Sequence, residues 1–402
     1  MRYHFGIRTE NGTPSCRTTP RILPPFEFGV PVSGETFAGR TVETRHLCAN
    51  FRHGINTILI SPRRTGKTSL VNRTIRLSEN ESLRIARFDA LKCASDEEFL
   101  TAFATAVIRA ASVLQEKQMA LTQRFLARFA PKISLGTDST NDFSVSLEIK
   151  NIRSEAEKIL QLPEDIAAAE NIRIVVCIDE FQQIGEFDDS LSFQKLLRTV
   201  WQLQKHVSYC LCGSQGKMER LFGPQNSPFY RFGDMMHLQR IRRDDWVEFI
   251  IRRFRDSGKS ITEAMAGRIA DAVENHPAYV QHLAWYVWLE TSGEVREESC
   301  NVAIKKMLDA YHPIFAERVS RLTLRQRNFL KALDDGVQAG FTRQKTLEQY
   351  RLGNSANVAR VKKSLIEKAL IALVDTDRWV TTDPVFRLWL RQRFWCASGP
   401  SF

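Results

Sequence analysis

Apolar, strand-like runs alternate with helical patterns over the first 240 residues. Short, mostly apolar runs lie at residues 56–61, 172–178, 208–212 and 235–238, and a further strand is predicted at residues 83–89. Strands without a polar face are typical of a parallel sheet that is covered on both sides. The pattern therefore predicts an α/β fold, whose ligand should lie beyond the carboxyl ends of the strands.

Two stretches of this region have other periods. Apolar residues recur at helical spacing over residues 96–129, which predicts one long helix or two. Residues 143–149 alternate apolar and polar side chains, and the segment PKISLG just upstream can pair with them. We therefore expect a β-hairpin, inserted into the α/β domain at about residues 131–150.

The pattern becomes helical after residue 240, and three further helical segments and two short strand-like pieces complete the chain. The order near the end is that of a helix-turn-helix followed by a wing at residues 374–381. Its third helix should turn Val358, Val361, Leu365 and Ile366 toward the core. The predicted organisation is a flexible arm (1–25), an α/β core (26–240), a helical lid (241–318) and a winged helix (319–402).

Charge is concentrated near the carboxyl end. The chain of 402 residues has a net charge of +11, and residues 321–402 hold 15 Lys and Arg against 7 Asp and Glu, a net +8. This asymmetry indicates contact with a polyanion such as nucleic acid, or simply a solvated basic face. The amino-terminal residues do not resemble a secretory signal, and the apolar runs are too short to span a membrane, so we expect a cytoplasmic protein.

A phosphate loop follows the first predicted strand. The sequence SPRRTGKT lies between a strand and a helix, the context that this motif requires, although Ser61 replaces its first glycine. Backbone N–H groups of such a loop bind phosphates, the lysine reaches the β and γ groups, and the hydroxyl of the last residue ligates Mg²⁺. The predicted nucleotide-binding residues here are Ser61, Pro62, Arg63, Arg64, Thr65, Gly66, Lys67, Thr68 and Ser69.

Two acids, Asp179 and Glu180, end the apolar run VVCI. A carboxylate at the tip of a buried strand suits a Mg²⁺ ligand, and we assign Asp179 to the metal together with Thr68. Glu180 is then placed to act as the general base on the attacking water. The alternative is that both acids only cap a helix.

Two further residues are catalytic candidates beside Lys67 and Glu180. Ser214 follows the predicted strand 208–212, where a small polar side chain can sense a γ-phosphate, unless it is a simple turn residue. Arg231 precedes the next strand and can stabilise transition-state charge, in its own subunit or a neighbouring one, unless it is an ordinary surface arginine.

Taken together, the motifs resemble one family. The segments FEFGVPVSGETFAGR, ISPRRTGKTSL, IDEFQ, CGS and NSPFY are similar to those of the archaeal-type AAA ATPases, relatives of the STAND signalling ATPases, over about residues 26–394. The resemblance implies an AAA-type P-loop NTPase: a five-stranded core, a helical lid and a C-terminal winged helix, with ATP and Mg²⁺ as cofactors. It also implies that Phe37, Gly39 and Arg40 lie beside the adenine. In the lid, His276 and Pro277 would contact the nucleotide; the alternative is that His276 is only a helix-start residue.

The winged helix adds a partner hypothesis. Its third helix should present Asn357, Arg360, Lys362 and Lys363 to double-stranded DNA, or else the domain packs only on the ATPase or on a partner protein. The leading hypothesis is a nucleotide-dependent regulatory switch that hydrolyses ATP. The alternative is a DNA-directed oligomeric ATPase, whereas Glu180 argues against a scaffold that only holds ATP.

Overall fold

The computed structural model describes residues 24–62, 64–111, 133–137, 143–147, 152–374 and 377–397. Most of the expected arm, Arg63 of the phosphate loop and the second half of the stretch 96–129 lie outside these residues. The described strands are β1 (Thr57–Ser61), β2 (Leu83–Asp89), β3 (Ile133–Thr137), β4 (Phe143–Leu147), β5 (Arg173–Asp179), β6 (Val207–Ser214), β7 (Asp234–His237), β8 (Ile371–Leu373) and β9 (Trp379–Thr381).

The described α-helices are α1 (Thr41–His53), α2 (Lys67–Ser78), α3 (Asp96–Ala111), α4 (Ile152–Glu170), α5 (Ser190–Trp201), α6 (Gln215–Phe222), α7 (Arg243–Asp256), α8 (Glu263–Ala272), α9 (Pro277–Leu289), α10 (Glu297–Ser320), α11 (Leu324–Asp334), α12 (Gln344–Gln349), α13 (Ser355–Glu367), α14 (Pro384–Trp389) and α15 (Trp395–Ala397). Among them, none combines the length and apolar character that crossing a bilayer requires.

A five-stranded parallel sheet forms the core, in the order β2-β5-β6-β1-β7. Side chains alternate between its faces: Ile174, Val176 and Ile178 of β5 lie in one apolar cluster. Val175 and Cys177 lie in the other. Helices α3 and α4 cover the first face and α1 and α2 the second, so both faces are buried. This double burial explains why the central strands β1, β5 and β6 are buried at nearly every position.

The register of the sheet brings three strand ends together. Ser61 at the end of β1 is paired with Ser214 at the end of β6, and Ile178 of β5 is paired with Leu211 of β6. Because the strands are parallel, the loops that follow them leave from one edge of the sheet. The phosphate loop, Asp179 and Ser214 are therefore neighbours at that edge. Separately, β3 and β4 form an antiparallel pair with Ile133 opposite Leu147.

Helices α7–α10 and the C-terminal elements share one apolar core. The long helix α10 connects them, because its Phe315 packs against Phe386 and Trp389 with ring centroids 5.2 and 5.9 Å apart. Residue 318, where the sequence suggested the end of the lid, lies in the last turn of this helix. The lid and the C-terminal elements are thus joined by a continuous helix and a common core.

An N-terminal segment, residues 24–38, crosses from the lid to the sheet. Phe26 is 1% exposed and packs on Phe254 of α7, with ring centroids 5.5 Å apart. Arg253 of the same helix is buried and donates from Nε to the carbonyl of Pro25 at 2.7 Å. At the other end, Phe37 packs in the core beneath the sheet. Truncating a buried phenylalanine typically costs about 3 to 5 kcal/mol of unfolding free energy. The packing of this segment therefore contributes substantially to the attachment of the lid to the sheet.

Helices α11–α13 and the antiparallel pair β8–β9 have the winged-helix arrangement. Val358, Val361 and Leu365 of α13 are buried as expected. Ile366, expected in the core, is instead 47% exposed, and that expectation is wrong. It follows Leu365 by one residue, a rotation of about 100° that carries it past the buried stripe.

Candidate functional site

The phosphate loop leaves β1 at the buried Ser61 and enters α2 at Lys67. Gly66 joins them with φ +90°, a left-handed conformation that glycine adopts without steric cost. No acidic side chain occupies the first turn of α2, and its N-cap residue, Gly66, has no side chain that could cap the helix. The N–H groups of that turn are therefore available to an anion, as phosphate binding requires.

Several contacts hold the loop in shape. The Thr65 hydroxyl donates to the carbonyl of Pro62 at 2.8 Å, which closes the turn. Arg40, which is buried, donates to the carbonyl of Thr65 at 3.0 Å and is paired with Glu43 at 2.8 Å. Burial lowers the pKa of Arg40 and the Glu43 carboxylate opposes this shift. The predicted adenine-side segment is therefore fastened directly to the phosphate loop.

Other predicted residues of this part support the loop indirectly. Ser69, on α2, accepts a hydrogen bond from the backbone N–H of Val32 at 3.0 Å. The ring of Phe37 is buried, 4.7 Å from the guanidinium of Arg73. Gly39 has φ +56°, and a Cβ there would lie 3.0 Å from Ile241, so glycine permits the close approach to the start of the lid.

Lys67 lies between the two acids at the end of β5. Its Nζ is 3.0 Å from Oε1 of Glu180 and 3.3 Å from Oδ1 of Asp179. The side chain is only 10% exposed. Burial by itself lowers the pKa of Lys67, but Cys212, Asp179 and Glu180 together outweigh it, and the pKa is raised above its usual value. Lys67 is thus a firmly charged cation at the edge of the sheet.

Thr68 and Asp179 form a pair of oxygen donors. The Thr68 hydroxyl donates to Oδ2 of Asp179 at 2.9 Å, and Arg87 approaches the same oxygen at 3.7 Å. A hydroxyl and a carboxylate at this spacing fit Mg²⁺, which prefers oxygen ligands and usually takes the rest from substrate phosphates and water. No group of three or more His, Cys, Asp and Glu in the described residues could hold a metal unaided. Thr68 and Asp179 therefore offer a partial Mg²⁺ ligand set.

Glu180 starts the 3₁₀ turn Phe181–Glu186 with φ +50°, a left-handed conformation that is unusual for a glutamate. This bend turns its carboxylate back toward the phosphate loop. Its second oxygen, Oε2, accepts a hydrogen bond from Nε2 of Gln182 at 2.6 Å. Gln182 was not among the predicted site residues, although it stands in the quoted motif IDEFQ.

Three further predicted residues are Ser214, Arg231 and Arg64. Ser214 ends β6 opposite Ser61 and is half-buried, so it lies at the same edge. Arg231 is exposed, has φ +54°, and holds its guanidinium 5.2 Å from the ring of Tyr230. Arg64 is also exposed, with φ +62°. The roles of Ser214 and Arg231 stay predictions.

The lid turn carries His276 and Pro277 at the start of α9. His276 is the N-cap residue and is buried, with its ring 4.8 Å from that of Tyr279. Pro277 occupies the first helical position, where its missing N–H costs nothing. Burial and then Asp383 raise the pKa of Tyr279, while the positive charge of Arg64 acts to lower it.

On α13, the residues suggested for DNA contact differ in their exposure to solvent. Arg360 and Lys363 are exposed. Lys362 instead lies over the rings of Phe341 and Trp379, at 5.2 and 4.6 Å, so its expected outward position is wrong. The attraction of the cation to the ring faces and the burial of its stem account for this position.

Comparison with known proteins agrees with this arrangement. Residues 65–212 match the model of the KAP family P-loop domain, and residues 313–392 match that of a probable winged helix domain. No curated protein matches the chain in sequence. The Walker-type ATPase of Pyrococcus abyssi aligns with a TM-score of 0.63 and 17% identity over 91% of this chain and 99% of that one. The Aeropyrum pernix ORC2 protein, in complexes with ADPNP and ADP, aligns with a TM-score of 0.55 and 14% identity over 87% and 92%.

At these identities the solved structures establish the fold, and the two family matches identify the domains. The expected class, a parallel-sheet α/β core of the P-loop type followed by a winged helix, is confirmed. The resemblance to the archaeal-type AAA ATPases is confirmed at the level of a KAP family P-loop domain combined with a winged helix domain. The chain therefore contains a P-loop NTPase domain, matched over residues 65–212, that is joined to a C-terminal winged-helix domain.

Proposed function

We propose that the protein hydrolyses ATP and that the bound nucleotide sets the position of the winged helix. The observation that carries this proposal is the convergence of Lys67, Thr68, Asp179 and Glu180 at one edge of the sheet, with contacts of 2.9 to 3.3 Å. A protein that only bound nucleotide would not need a second acid beside Asp179, whereas a hydrolase needs a base for water.

In the proposed reaction, the N–H groups at the start of α2 and the Lys67 ammonium bind the β- and γ-phosphates of ATP. A water oxygen forms a bond to the γ-phosphorus while the bond to the β–γ bridging oxygen breaks, and Glu180 accepts the proton of that water. The products are ADP and inorganic phosphate. Mg²⁺, held through Thr68 and Asp179, would neutralise charge on the phosphates.

The switch part of the proposal rests on contacts between the lid turn and the winged helix. Glu274, in the turn before His276, is paired with Arg240 at 2.8 Å and with Arg387 of α14 at 3.1 Å. Arg240 lies in the connection from the core to the lid. Glu274 therefore links the core connection, the proposed nucleotide-contacting turn and the C-terminal domain.

A second contact runs beside it. The Tyr279 hydroxyl, one turn into α9, donates to Oδ2 of Asp383 at 3.0 Å. The other carboxylate oxygen of Asp383 accepts two backbone N–H groups at the start of α14. A change in the lid turn on nucleotide binding would thus be passed to α14 of the C-terminal domain.

The second candidate function is a DNA-directed ATPase. It is favoured by the exposed Arg360 and Lys363 on α13 and by the net charge of +8 in residues 321–402. In this version the winged helix binds duplex DNA, the protein acts as an oligomer, and Arg231 completes the site of a neighbouring subunit. A protein partner in place of DNA would leave the first candidate intact.

The test is ATP hydrolysis by the purified protein with and without duplex DNA, alongside Glu180→Gln. DNA stimulation that disappears in the variant supports the DNA-directed ATPase. Slow turnover that is indifferent to DNA and absent from the variant supports the switch. Hydrolysis by Glu180→Gln at the wild-type rate would refute both.

A further inference from the structure

Gln182 connects the proposed base to the neighbouring strand. It lies in the 3₁₀ turn after β5 and is 6% exposed. Its Nε2 donates to Oε2 of Glu180 at 2.6 Å, and its Oε1 accepts the backbone N–H of Ser214 at 3.1 Å. A single side-chain amide thus connects Glu180 to the end of β6, where Ser214 is 32 residues from Gln182 in sequence.

The surroundings of this amide leave it little freedom. Gly213 precedes Ser214, and a Cβ at that position would lie 2.1 Å from Oε1 of Gln182 and 2.5 Å from Met218. Any side chain at residue 213 would therefore displace the amide. A buried amide costs free energy unless its groups are hydrogen-bonded, and here both its oxygen and its nitrogen are bonded.

The two carboxylate oxygens of Glu180 have different partners. Oε2 is bonded to Gln182, whereas Oε1 lies 3.0 Å from Nζ of Lys67. Phosphate oxygens compete for the Lys67 ammonium, so Oε1 is the oxygen that nucleotide binding can free for water. The hydrogen bond from Gln182 holds the other oxygen and with it the orientation of the carboxylate.

We infer that Gln182 is a positioning residue for ATP hydrolysis, which orients Glu180 and ties its orientation to the backbone of Ser214. This inference rests on the proposed function. Through this contact, the position of Ser214 affects the proposed base. A shift of the Ser214 N–H toward a γ-phosphate would move the Gln182 amide, and the amide would in turn move the Glu180 carboxylate. The ligand that would cause this shift is a nucleoside triphosphate, because a diphosphate has no γ-phosphate.

A purely structural role for Gln182, as a link between β5 and β6, makes a different prediction. It would lower stability and affect binding and turnover together. If Gln182 is a positioning residue, its substitution lowers kcat and leaves ATP affinity unchanged. This effect on kcat disappears when Glu180 can no longer act as a base. Effects of residues that act as one unit do not multiply in the double variant.

The experiment compares Gln182→Met, Glu180→Gln and the double variant by kcat, ATP dissociation constant and thermal midpoint. Methionine keeps the length of the side chain but cannot donate or accept in the same way. We expect Gln182→Met to lower kcat about 10- to 100-fold, the range for losing a hydrogen bond to a charged group, with ATP affinity within about 2-fold of wild type. In the Glu180→Gln background the same change should lower kcat no further.

Gln194→Met is the matched control, because Gln194 is equally buried but its amide donates to Ser190 at 2.8 Å. It should keep the wild-type kcat. If Gln182→Met does not fold, Gln182→Asn keeps the amide on a shorter side chain that cannot reach both partners, and it should show the same loss of kcat. Unchanged kcat, or equal fold losses in both backgrounds, overturns the inference. Wild-type turnover by Glu180→Gln instead overturns the proposed function itself.

Discussion

The edge of the sheet and the surface of α13 differ in the exposure and pairing of their charged side chains. At the edge, Lys67, Asp179 and Glu180 have side chains that are 10, 14 and 26% exposed and lie within 3.3 Å of an opposite charge. On α13, Arg360 and Lys363 point into solvent. Buried, paired charges fix a geometry, whereas exposed ones contribute mainly long-range attraction that salt screens.

This difference indicates that chemistry on the nucleotide should take place at the edge of the sheet, and attraction of a polyanion at α13. The edge has the short contacts that chemistry on a phosphate requires, because catalytic groups must be held close to their working geometry. The surface of α13 needs only to attract, and its residues should act independently of each other and of turnover. Substitutions in the two regions should therefore have effects of different size and kind.

The largest effect should come from Lys67→Ala. Loss of this cation removes the proposed phosphate contact and leaves Asp179 and Glu180 to repel the anionic nucleotide, so ATP affinity should fall on the order of 100-fold or more. Isothermal titration with ATP measures this, with circular dichroism to establish that the variant is folded. An unchanged affinity in a folded variant would remove the nucleotide from this edge.

A second effect concerns the proposed metal ligand Asp179. The variant Asp179→Asn keeps the shape of the side chain but loses the charge, so the Mg²⁺ concentration for half-maximal turnover should rise about 10- to 100-fold. A Mg²⁺ titration of ATP hydrolysis at saturating ATP measures the shift. Equal Mg²⁺ requirements for variant and wild type would contradict the assignment of Thr68 and Asp179 to the metal.

The link between lid and winged helix should show a smaller effect on stability than on coupling. Glu274→Gln weakens two half-exposed ion pairs, so the free energy of unfolding should fall by no more than about 1 to 2 kcal/mol. The change in distance between spin labels on α1 and α13 on adding ATP should nevertheless be lost. Asp244→Asn, which alters the exposed pair Arg242–Asp244, is the control that should keep it. A full distance change in Glu274→Gln would show that the link does not couple.

The smallest effect belongs to α13, where two adjacent lysines separate attraction from packing. If duplex DNA is bound, Lys363→Gln should weaken binding a few-fold and lower the salt-dependence slope by about 1, with ATP hydrolysis unaffected. Lys362→Gln should instead lower stability by about 0.5 to 1 kcal/mol, since its ammonium lies over two rings. Fluorescence anisotropy across a salt series measures the first and urea unfolding the second. Equal DNA effects of both variants would contradict the distinction.

The sequence predicted much of the core because its signals are local. The apolar runs that become β1, β2 and β5–β7 lie on short, continuous stretches, and the phosphate loop is a contiguous motif. The proximity of Asp179 to Thr68 also followed, because parallel strands end at a common edge. The general class of the fold was therefore readable from periodicity and motif alone.

Contacts between distant parts of the chain could not be predicted in this way. Arg253 and Pro25 are 228 residues apart, and Gln182 and Ser214 are 32 apart, so no periodicity or spacing signals either contact. The expected outward position of Lys362 was wrong for a related reason. Which residues flank the buried stripe of α13 depends on the aromatic side chains of other elements that pack beside it, such as Phe341 and Trp379.

The central claim is that the edge of the sheet both binds and hydrolyses ATP, with separate residues for the two tasks. The most direct measurement follows ATP binding and single-turnover hydrolysis of Glu180→Gln in parallel. The account predicts ATP affinity within a few-fold of wild type and a cleavage rate at least about 100-fold lower, the usual contribution of a general base. Cleavage at the wild-type rate by a variant that binds ATP normally would contradict it.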